Sequence, residues 1–479
     1  MNPPVVRIFG VVLLLFAILV FATSWWTVFG AEGLRDNPNN RRALLEEQRI
    51  KRGRILADDR RTLARPVPAP NDTWTRRWPT GKLFAHAVGY SYTSFGRAGL
   101  ERYYNDQLIG RRTELVGVVD SLLGSDDVGD DLQTTLDPRA QQVAVDALNG
   151  RKGAVVALDV KTGRVLVMAS EPSFDPNDLD VGRTFQRLST DDANSPLLNR
   201  ATQATYPPGS TMKTVTATAA LDSGKYSPQS RVSGKNGKVI SGVPLNNFGN
   251  EDFGDIDLTT ALTNSVNTVW AEVGVKVGRK TMTEYMRRYG FFTDPPADYP
   301  GDQMVPSGVH AGRRTNLTPE SRRVDVGRVA IGQGGLEVTP LQMASVAQTI
   351  ANGGVRMEPR LGRRVIDPDG RTVDDIGPAQ AERVMSEQTA SELTAMMKQV
   401  VKEGTGTAAA LEGVEVAGKT GTAELDIARR INQPWFIGFA PRENPKYAVA
   451  VTIERSAGGQ GGTVAAPVAK QVLQELLGR

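Results

Sequence analysis

The chain has 479 residues and a formal net charge of +4 at pH 7, which is too small to indicate nucleic acid as a partner. It contains no cysteine, so disulfides, thiol catalysis and thiolate metal sites are excluded together. Its two histidines, His86 and His310, lie in no recognisable motif, which disfavours a serine–histidine–aspartate triad. We expect neither a metal nor a cofactor.

The first predicted element is a membrane anchor. Residues 8–30 are almost continuously apolar, and about 20 such residues span a bilayer. Arg7 precedes this run, and Trp25 and Trp26 lie near its far end, where an aromatic belt is expected. Residues 1–31 are therefore predicted to form a cytoplasmic tip and an uncleaved transmembrane helix, with the rest of the chain extracytoplasmic. A cleavable signal peptide is the alternative.

The next region, residues 32–145, carries no recognisable catalytic motif. Over residues 32–110 there are 15 Lys and Arg against 9 Asp and Glu, a bias that fits either anionic lipid headgroups or an ordinary solvated surface. The spacing of Leu100 and Leu108 predicts short helical structure, and the prolines within 66–70 predict an irregular connection. The region is predicted to be a non-catalytic pedestal or interaction module.

The remainder of the chain shows a different pattern, with strands and helices mixed. Two apolar runs joined by a tight glycine turn, 153–159 and 165–170, predict a β-hairpin. Two further strands, 435–439 and 447–453, are joined by a short polar connection, and an amphipathic helix follows them. Residues 146–479 are therefore predicted to be an α+β domain, an antiparallel sheet flanked by helices.

The clearest candidate for chemistry is Ser210. Pro207, Pro208 and Gly209 end the preceding segment and an apolar helical pattern follows, so Ser210 is predicted at or next to a helix N-terminus. Lys213 lies one turn further along the same face. A buried lysine near a second cation is neutral part of the time and can take the serine proton. Taken alone, the pair fits an ordinary surface helix at least as well.

Two further motifs follow in the chain. Ser265-Val266-Asn267 interrupts an apolar pattern that starts near Asp257, so it is predicted inside a helix, where polar residues need a partner or a function. Lys419-Thr420-Gly421-Thr422 follows a short apolar run and is predicted at the edge of a strand. Each motif is a weak signal alone, whereas the three in this order and these contexts are a strong one.

Together the three motifs resemble those of the active-site serine transpeptidases, which are the penicillin-binding proteins and their β-lactamase relatives. Residues 44–110 and 130–470 are similar to class B penicillin-binding proteins, of the penicillin-binding protein A type of actinobacteria. The segments that carry this similarity are Arg52-Gly53-Arg54-Ile55, Leu132-Gln133-Thr134-Thr135-Leu136-Asp137, Tyr206-Pro207-Pro208-Gly209-Ser210, Gly332-Gln333-Gly334 and Trp435-Phe436-Ile437-Gly438-Phe439. The resemblance implies a penicillin-binding transpeptidase fold in residues 146–479, joined through the pedestal to one transmembrane helix.

The resemblance also implies roles for the first two motifs. Ser210 would attack the D-Ala-D-Ala carbonyl of a peptidoglycan stem peptide, and Lys213 would take its proton. Ser265 would help to pass that proton to the departing D-Ala, and Asn267 would bond to the amide of the donor peptide. An amine from a neighbouring stem peptide would then resolve the acyl-enzyme and form a cross-link.

The third motif is implied to bind the substrate. Lys419 would supply the positive charge that favours a neutral general base and an anionic substrate. Thr420 and Thr422 would bind the substrate carboxylate, with Gly421 between them on the strand. The backbone N–H groups of Ser210 and Thr422 would form the oxyanion hole, where losing one donor typically lowers the rate about 10²–10³-fold.

The partners implied are donor and acceptor stem peptides, β-lactams, and a glycosyltransferase or other proteins of the division or elongation machinery. Three alternatives remain on the sequence alone. A D,D-carboxypeptidase differs mainly in acceptor access, a β-lactamase needs a water-activating carboxylate that no motif supplies, and a cell-wall scaffold would not use the motifs. Residues 413–420 also match the phosphate-loop pattern of NTPases, but that pattern must open a helix, and no helical pattern follows it.

Overall fold

The computed structural model describes residues 3–26, 47–111, 128–310, 316–379 and 381–479. The helices of these segments are α1 Pro3–Trp25, α2 Ala85–Val88, α3 Gly99–Tyr103, α4 Asn105–Leu108, α5 Pro138–Leu148, α6 Thr184–Ser189, α7 Lys213–Asp222, α8 Leu258–Thr263, α9 Asn267–Val277, α10 Arg279–Arg288, α11 Val326–Ala330, α12 Pro340–Ala351, α13 Glu387–Lys402 and α14 Ala466–Leu476. The end of the predicted anchor and parts of the predicted pedestal, residues 27–46 and 112–127, lie outside the described residues.

The strands form two larger sheets and several short pairs. They are β1 Ile55–Leu56, β2 Thr62–Ala69, β3 Thr73–Arg77, β4 Ser91–Tyr92, β5 Gly96–Arg97, β6 Asp131–Thr134, β7 Gly153–Asp159, β8 Val165–Glu171, β9 Arg231–Ser233, β10 Lys238–Ile240, β11 Val243–Leu245, β12 Asp255–Asp257, β13 Gly308–His310, β14 Asn316–Leu317, β15 Leu336–Glu337, β16 Val355–Met357, β17 Gly362–Ile366, β18 Thr372–Asp375, β19 Ala381–Arg383, β20 Ala417–Asp426, β21 Ile431–Ala440, β22 Tyr447–Ile453 and β23 Ser456–Ala457.

Helix α1 coincides with the predicted anchor. Over residues 7–25 it is, among the described helices, the one long and apolar enough to cross a membrane. Its large side chains contact little of the rest of the molecule, and Phe16 is 64% exposed. A continuous array of exposed apolar side chains is stabilised by an apolar surrounding. The prediction of an N-terminal apolar helix is confirmed, and its orientation across a membrane stays a prediction.

The first sheet is built mainly from the N-terminal part of the chain. Its strand order is β18-β17-β6-β1-β2-β3, so β17 and β18 join it from much later in the sequence. Strand β6 pairs in parallel with β1 and antiparallel with β17. The apolar side chains of the predicted short helix, Leu100 and Leu108, are buried in the same core as Ile55 and Leu132 of this sheet.

The prediction of an irregular connection at residues 66–70 is wrong for most of that segment, because it continues strand β2. Pro66 pairs with Arg76 and Pro68 with Trp74 across β3. On the other side of β2, strand β1 reaches no further than Ala64. Within the described residues β2 is therefore a free edge from that point, and an edge strand tolerates proline because no N–H donor is needed there.

The second sheet forms the core of the larger domain. Five antiparallel strands run in the order β20-β21-β22-β7-β8, and β23 pairs with the start of β21. In β7 Val155 belongs to one apolar cluster with α5 and α14, and Val156 belongs to the other with α12, as the period of two along a strand requires. The predicted antiparallel sheet flanked by helices is confirmed, and β20 with the third motif lies at its edge.

Candidate active site

Ser210 lies where the chain enters α7. Residues Gly209–Met212 form a 3-10 turn that continues directly into the helix at Lys213. Gly209 has a φ of +51°, a conformation that glycine adopts without strain. Ser210 is half-buried, and Lys213 is completely buried one turn later. The serine is therefore at a helix start, where unpaired backbone N–H groups favour negative charge.

Close backbone contacts hold the edge strand β20 against this turn. A Cβ atom on Gly421 would lie 2.5 Å from the carbonyl oxygen of Pro208, and one on Gly209 would lie 2.9 Å from the carbonyl carbon of Thr422. Gly332 closes the turn from another side, since its carbonyl oxygen accepts from the Gly209 N–H over 3.1 Å. These approaches leave no room for a side chain, so they fix the backbone of β20 beside the serine.

Lys213 is the centre of a hydrogen-bond network that joins the three motifs. Its Nζ contacts the Ser265 carbonyl oxygen at 2.6 Å, the Ser265 hydroxyl at 3.1 Å and Asn267 Oδ1 at 2.7 Å. Lys419 Nζ contacts the same Ser265 hydroxyl at 3.0 Å. Within the described residues no hydrogen bond joins the Ser210 hydroxyl to this network. The structure therefore gathers the lysines, Ser265 and Asn267, and leaves the Ser210 hydroxyl free to meet a ligand.

The second motif lies at a break between two helices, so the prediction of a helix interior is wrong. Helix α8 ends at Thr263, α9 begins at Asn267, and Ser265 between them has a φ of +56°. A left-handed residue cannot continue a helix, so the Ser265 carbonyl leaves the helical ladder and accepts from Lys213 instead. The Asn267 amide is oriented by a second bond, from Nδ2 to the Asn246 carbonyl oxygen over 3.2 Å.

Burial lowers the pKa of both lysines. Lys213 and Lys419 are fully buried, and within the described residues neither forms an ion pair with a carboxylate. Burial, followed by the positive charge of Lys419, lowers the pKa of Lys213 well below its ordinary value. Burial lowers the pKa of Lys419 to about 7. The repulsion between the two ammonium groups is mutual, so the loss of one proton helps the other lysine to keep its own.

We expect Lys419→Met to raise the free energy of unfolding at pH 7 by about 1 to 4 kcal/mol, because a buried ammonium with a lowered pKa destabilises the folded state. Between pH 7 and the ordinary lysine pKa the unfolded chain binds a proton that the folded chain lacks, so wild-type stability rises with pH. The gain from the substitution is therefore largest near pH 7 and shrinks towards pH 9.5. Urea unfolding across that range measures it, and a difference independent of pH would contradict the assignment.

The two threonines of the third motif have partners that the sequence analysis did not single out. The Thr420 hydroxyl lies 2.5 Å from the Thr405 hydroxyl. The Gly461 N–H donates to the Thr422 hydroxyl over 3.0 Å. Thr405 and Gly461 lie in short glycine-rich runs. Such runs indicate that another segment of backbone approaches closely, but they do not identify that segment.

The constellation does not have the character of a metal site. Its polar groups are two lysines, hydroxyls and an amide, whereas metal ions prefer carboxylate, imidazole and thiolate ligands. Across the described segments no three His, Asp or Glu side chains lie together in a way that could hold an ion. A hydroxyl at a helix start, a neutral buried amine and a second buried cation fit nucleophilic chemistry on an anionic substrate.

Comparison with known proteins also indicates a serine acyl-transfer site. The penicillin binding protein transpeptidase domain model matches residues 153–474, and the penicillin binding protein A dimerisation domain model matches residues 52–132. The chain is 35% identical over 500 residues to the peptidoglycan D,D-transpeptidase PbpA of Mycolicibacterium smegmatis, covering 100% of this chain and 99% of that one. It is 33% identical over 501 residues to PbpA of Mycobacterium tuberculosis, with the same coverage.

Solved structures agree. The ceftriaxone acyl-enzyme complex of penicillin-binding protein A from M. tuberculosis superposes with a TM-score of 0.80 at 32% identity, over 90% of this chain and 99% of that one. A D,D-transpeptidase domain from Eggerthella lenta gives a TM-score of 0.78 at 32% identity, over 90% and 99%. The chain therefore belongs to the penicillin-binding protein transpeptidase family, and within it to the class B proteins of the penicillin-binding protein A type.

Proposed function

We propose that the chain is a peptidoglycan D,D-transpeptidase that cross-links stem peptides through an acyl-enzyme on Ser210 and is acylated there by β-lactams. The observation that carries the proposal is the pair of buried lysines, Lys213 and Lys419, which share the Ser265 hydroxyl beside the helix start that holds Ser210. The relatives named as peptidoglycan D,D-transpeptidases and the β-lactam acyl-enzyme complexes among the similar structures support it.

In the acylation step the Ser210 Oγ attacks the carbonyl carbon of the D-Ala-D-Ala bond. Neutral Lys213 takes the hydroxyl proton, and general-base catalysis of this kind contributes typically about 10²–10⁴-fold. The Ser265 hydroxyl, 3.1 Å from Lys213 Nζ, then passes a proton to the leaving nitrogen of the terminal D-Ala. An ester on Ser210 forms as the amide bond breaks, and free D-Ala departs as a neutral amine.

The surrounding groups hold the charge that develops. The backbone N–H groups of Ser210 and Thr422 donate to the oxyanion, and the tight packing of β20 against the serine turn supports this pairing. The Thr420 and Thr422 hydroxyls and the positive charge of Lys419 bind the substrate carboxylate. Asn267 keeps one Nδ2 hydrogen free of the Asn246 carbonyl, and this hydrogen bonds to the donor peptide.

Deacylation decides between the possible outcomes. An amine from an acceptor stem peptide attacks the acyl carbon, Ser210 Oγ leaves and takes back its proton, and an interpeptide amide forms. Attack by water at the same carbon would make the chain a D,D-carboxypeptidase instead. The contacts of Ser210, Lys213 and Ser265 serve both reactions, so the identity of the acceptor decides which product forms.

We also propose the placement of the chain at the cell surface. Residues 1–31 form a cytoplasmic tip and a single-pass anchor, 32–145 a pedestal that binds a glycosyltransferase or other division or elongation proteins, and 146–479 the extracytoplasmic catalytic domain. The apolar helix α1 and the family-model spans 52–132 and 153–474 support this division.

Labelling of the detergent-solubilised full chain with a fluorescent penicillin, followed by peptide mass mapping, tests the proposal. We expect a single adduct on the peptide that contains Ser210. A folded protein that forms no adduct would refute the enzyme assignment and favour a cell-wall scaffold. Incubation with a donor in which a thioester replaces the scissile D-Ala-D-Ala bond, together with a D-amino acid acceptor, then separates the two enzymes. A transpeptidase gives the amide product, and a carboxypeptidase gives only the free acid.

A further inference from the structure

We infer that Thr405 is a positioning residue of the carboxylate-binding site, and that its hydroxyl sets the direction in which Thr420 donates its hydrogen bond. The inference rests on the proposed function, in which Thr420 binds the carboxylate of the donor peptide. Thr405 lies outside the three motifs, in the connection between α13 and β20.

The contact between the two hydroxyls is short and direct. Their Oγ1 atoms lie 2.5 Å apart, at the lower end of the range for O–H···O bonds. Thr420 is 6% exposed, whereas Thr405 is exposed. Either hydroxyl can be the donor in this bond, and which one donates decides whether the Thr420 proton is available to a ligand.

The connection that carries Thr405 is held by elements on both sides of the site. The Thr405 N–H donates to the carbonyl oxygen of Thr263, which lies two residues before Ser265. A Cβ atom on Gly404 would lie 2.4 Å from that same carbonyl oxygen, and one on Gly462 would lie 2.4 Å from the carbonyl oxygen of Thr405. The backbone of Thr405 is therefore fixed between the end of α8 and the residues that follow β23.

The count of protons shows what the Thr405 hydroxyl does. Each threonine hydroxyl has one proton to donate, and an ionised carboxylate only accepts. If Thr420 donated to Thr405, it would have no proton left for the substrate. If Thr405 donates to Thr420, the Thr420 proton is free for the carboxylate, and the two bonds strengthen each other because they point the same way.

The Thr422 hydroxyl also accepts a hydrogen bond from the protein, in this case from a backbone N–H. Its oxygen accepts from the Gly461 N–H, so its own proton is also free to be donated outward. Both threonines of the third motif thus receive a hydrogen bond from the protein and offer one to the ligand. In this arrangement Thr405 does for Thr420 what a backbone amide does for Thr422.

The test compares acylation by benzylpenicillin with acylation by its methyl ester, in which the carboxylate is blocked. Thr405→Val keeps the shape and removes the hydroxyl. Thr420 then keeps its proton but loses the bond that orients it, so we expect the second-order rate of acylation by benzylpenicillin to fall about fivefold, the order of one neutral hydrogen bond. The rate with the ester should stay at the wild-type value. Thr405→Ser should restore the rate with benzylpenicillin to within about twofold.

Thr407→Val is the matched control, since Thr407 is exposed in the same connection and should leave both rates unchanged. Both positions are exposed, so the variants should unfold at the wild-type temperature. The inference is overturned if Thr405→Val acylates normally with benzylpenicillin, or if it loses the same factor with the ester. Failure of the proposed function is a separate result, seen in the wild type as no adduct on Ser210, and the inference would fall with it.

Discussion

Ser210→Ala is expected to abolish covalent labelling by fluorescent penicillin, because the acyl bond is made to the Ser210 Oγ and alanine has no atom to carry it. The backbone N–H groups around the oxyanion remain, so reversible binding can persist while the adduct disappears. The fold should not change, since within the described residues the Ser210 hydroxyl makes no hydrogen bond. Gel fluorescence measures the adduct, and the unfolding temperature checks the fold.

The matched control lies near the other end of the same helix. Ser223 is exposed, and its hydroxyl bonds only to the carbonyl oxygen of Ala220 within the described residues. Ser223→Ala should therefore label like the wild type. Stoichiometric labelling of Ser210→Ala would mean that another residue is the nucleophile, and peptide mass mapping of that adduct would identify it.

The parts of the site that follow from local rules could be predicted from the sequence. Two prolines and a glycine before an apolar helical pattern determine a helix start at Ser210, because proline and glycine cannot lie comfortably in the helix itself. The short apolar runs at 153–159 and 447–453 predict buried strands for the same kind of reason, since each has the length of a strand. The three motifs occur in the same order as in a known family. Because of this resemblance, we expected them to meet at one site.

The parts that depend on distant contacts could not. No proline or glycine marks the end of a helix at Ser265, and its left-handed conformation is stabilised by the bond that its carbonyl accepts from Lys213, far away in the sequence. Pro66 predicts an irregular connection, and its place in a strand is explained only by the end of β1 pairing at Ala64, which leaves an edge there. Thr405 is an ordinary threonine between glycines, and only the folding of β20 beside it gives its hydroxyl a partner.

Lys213→Met is expected to slow acylation by about 10²–10⁴-fold, the range of a lost general base, while penicillin still labels Ser210 given enough time. Methionine has nearly the length of lysine and no amine, so the site stays filled and the serine loses its proton acceptor. Stability should change little, because the loss of the Lys213 bonds to Ser265 and Asn267 is offset by the removal of a buried amine whose lowered pKa destabilises the fold. Stopped-flow acylation and urea unfolding measure the two effects.

The pH dependence separates a base from a structural lysine. In the wild type the neutral fraction of Lys213 increases with pH, so acylation should accelerate with pH until the lowered pKa is passed. Lys213→Met should lose this rise, and Lys419→Met should move it to higher pH, since removing a positive neighbour raises the pKa of Lys213. Lys225→Met, which removes a lysine exposed just beyond α7, should leave the profile as it is. A Lys213→Met profile parallel to that of the wild type would place the base elsewhere, because only the group that accepts the proton has to be neutral.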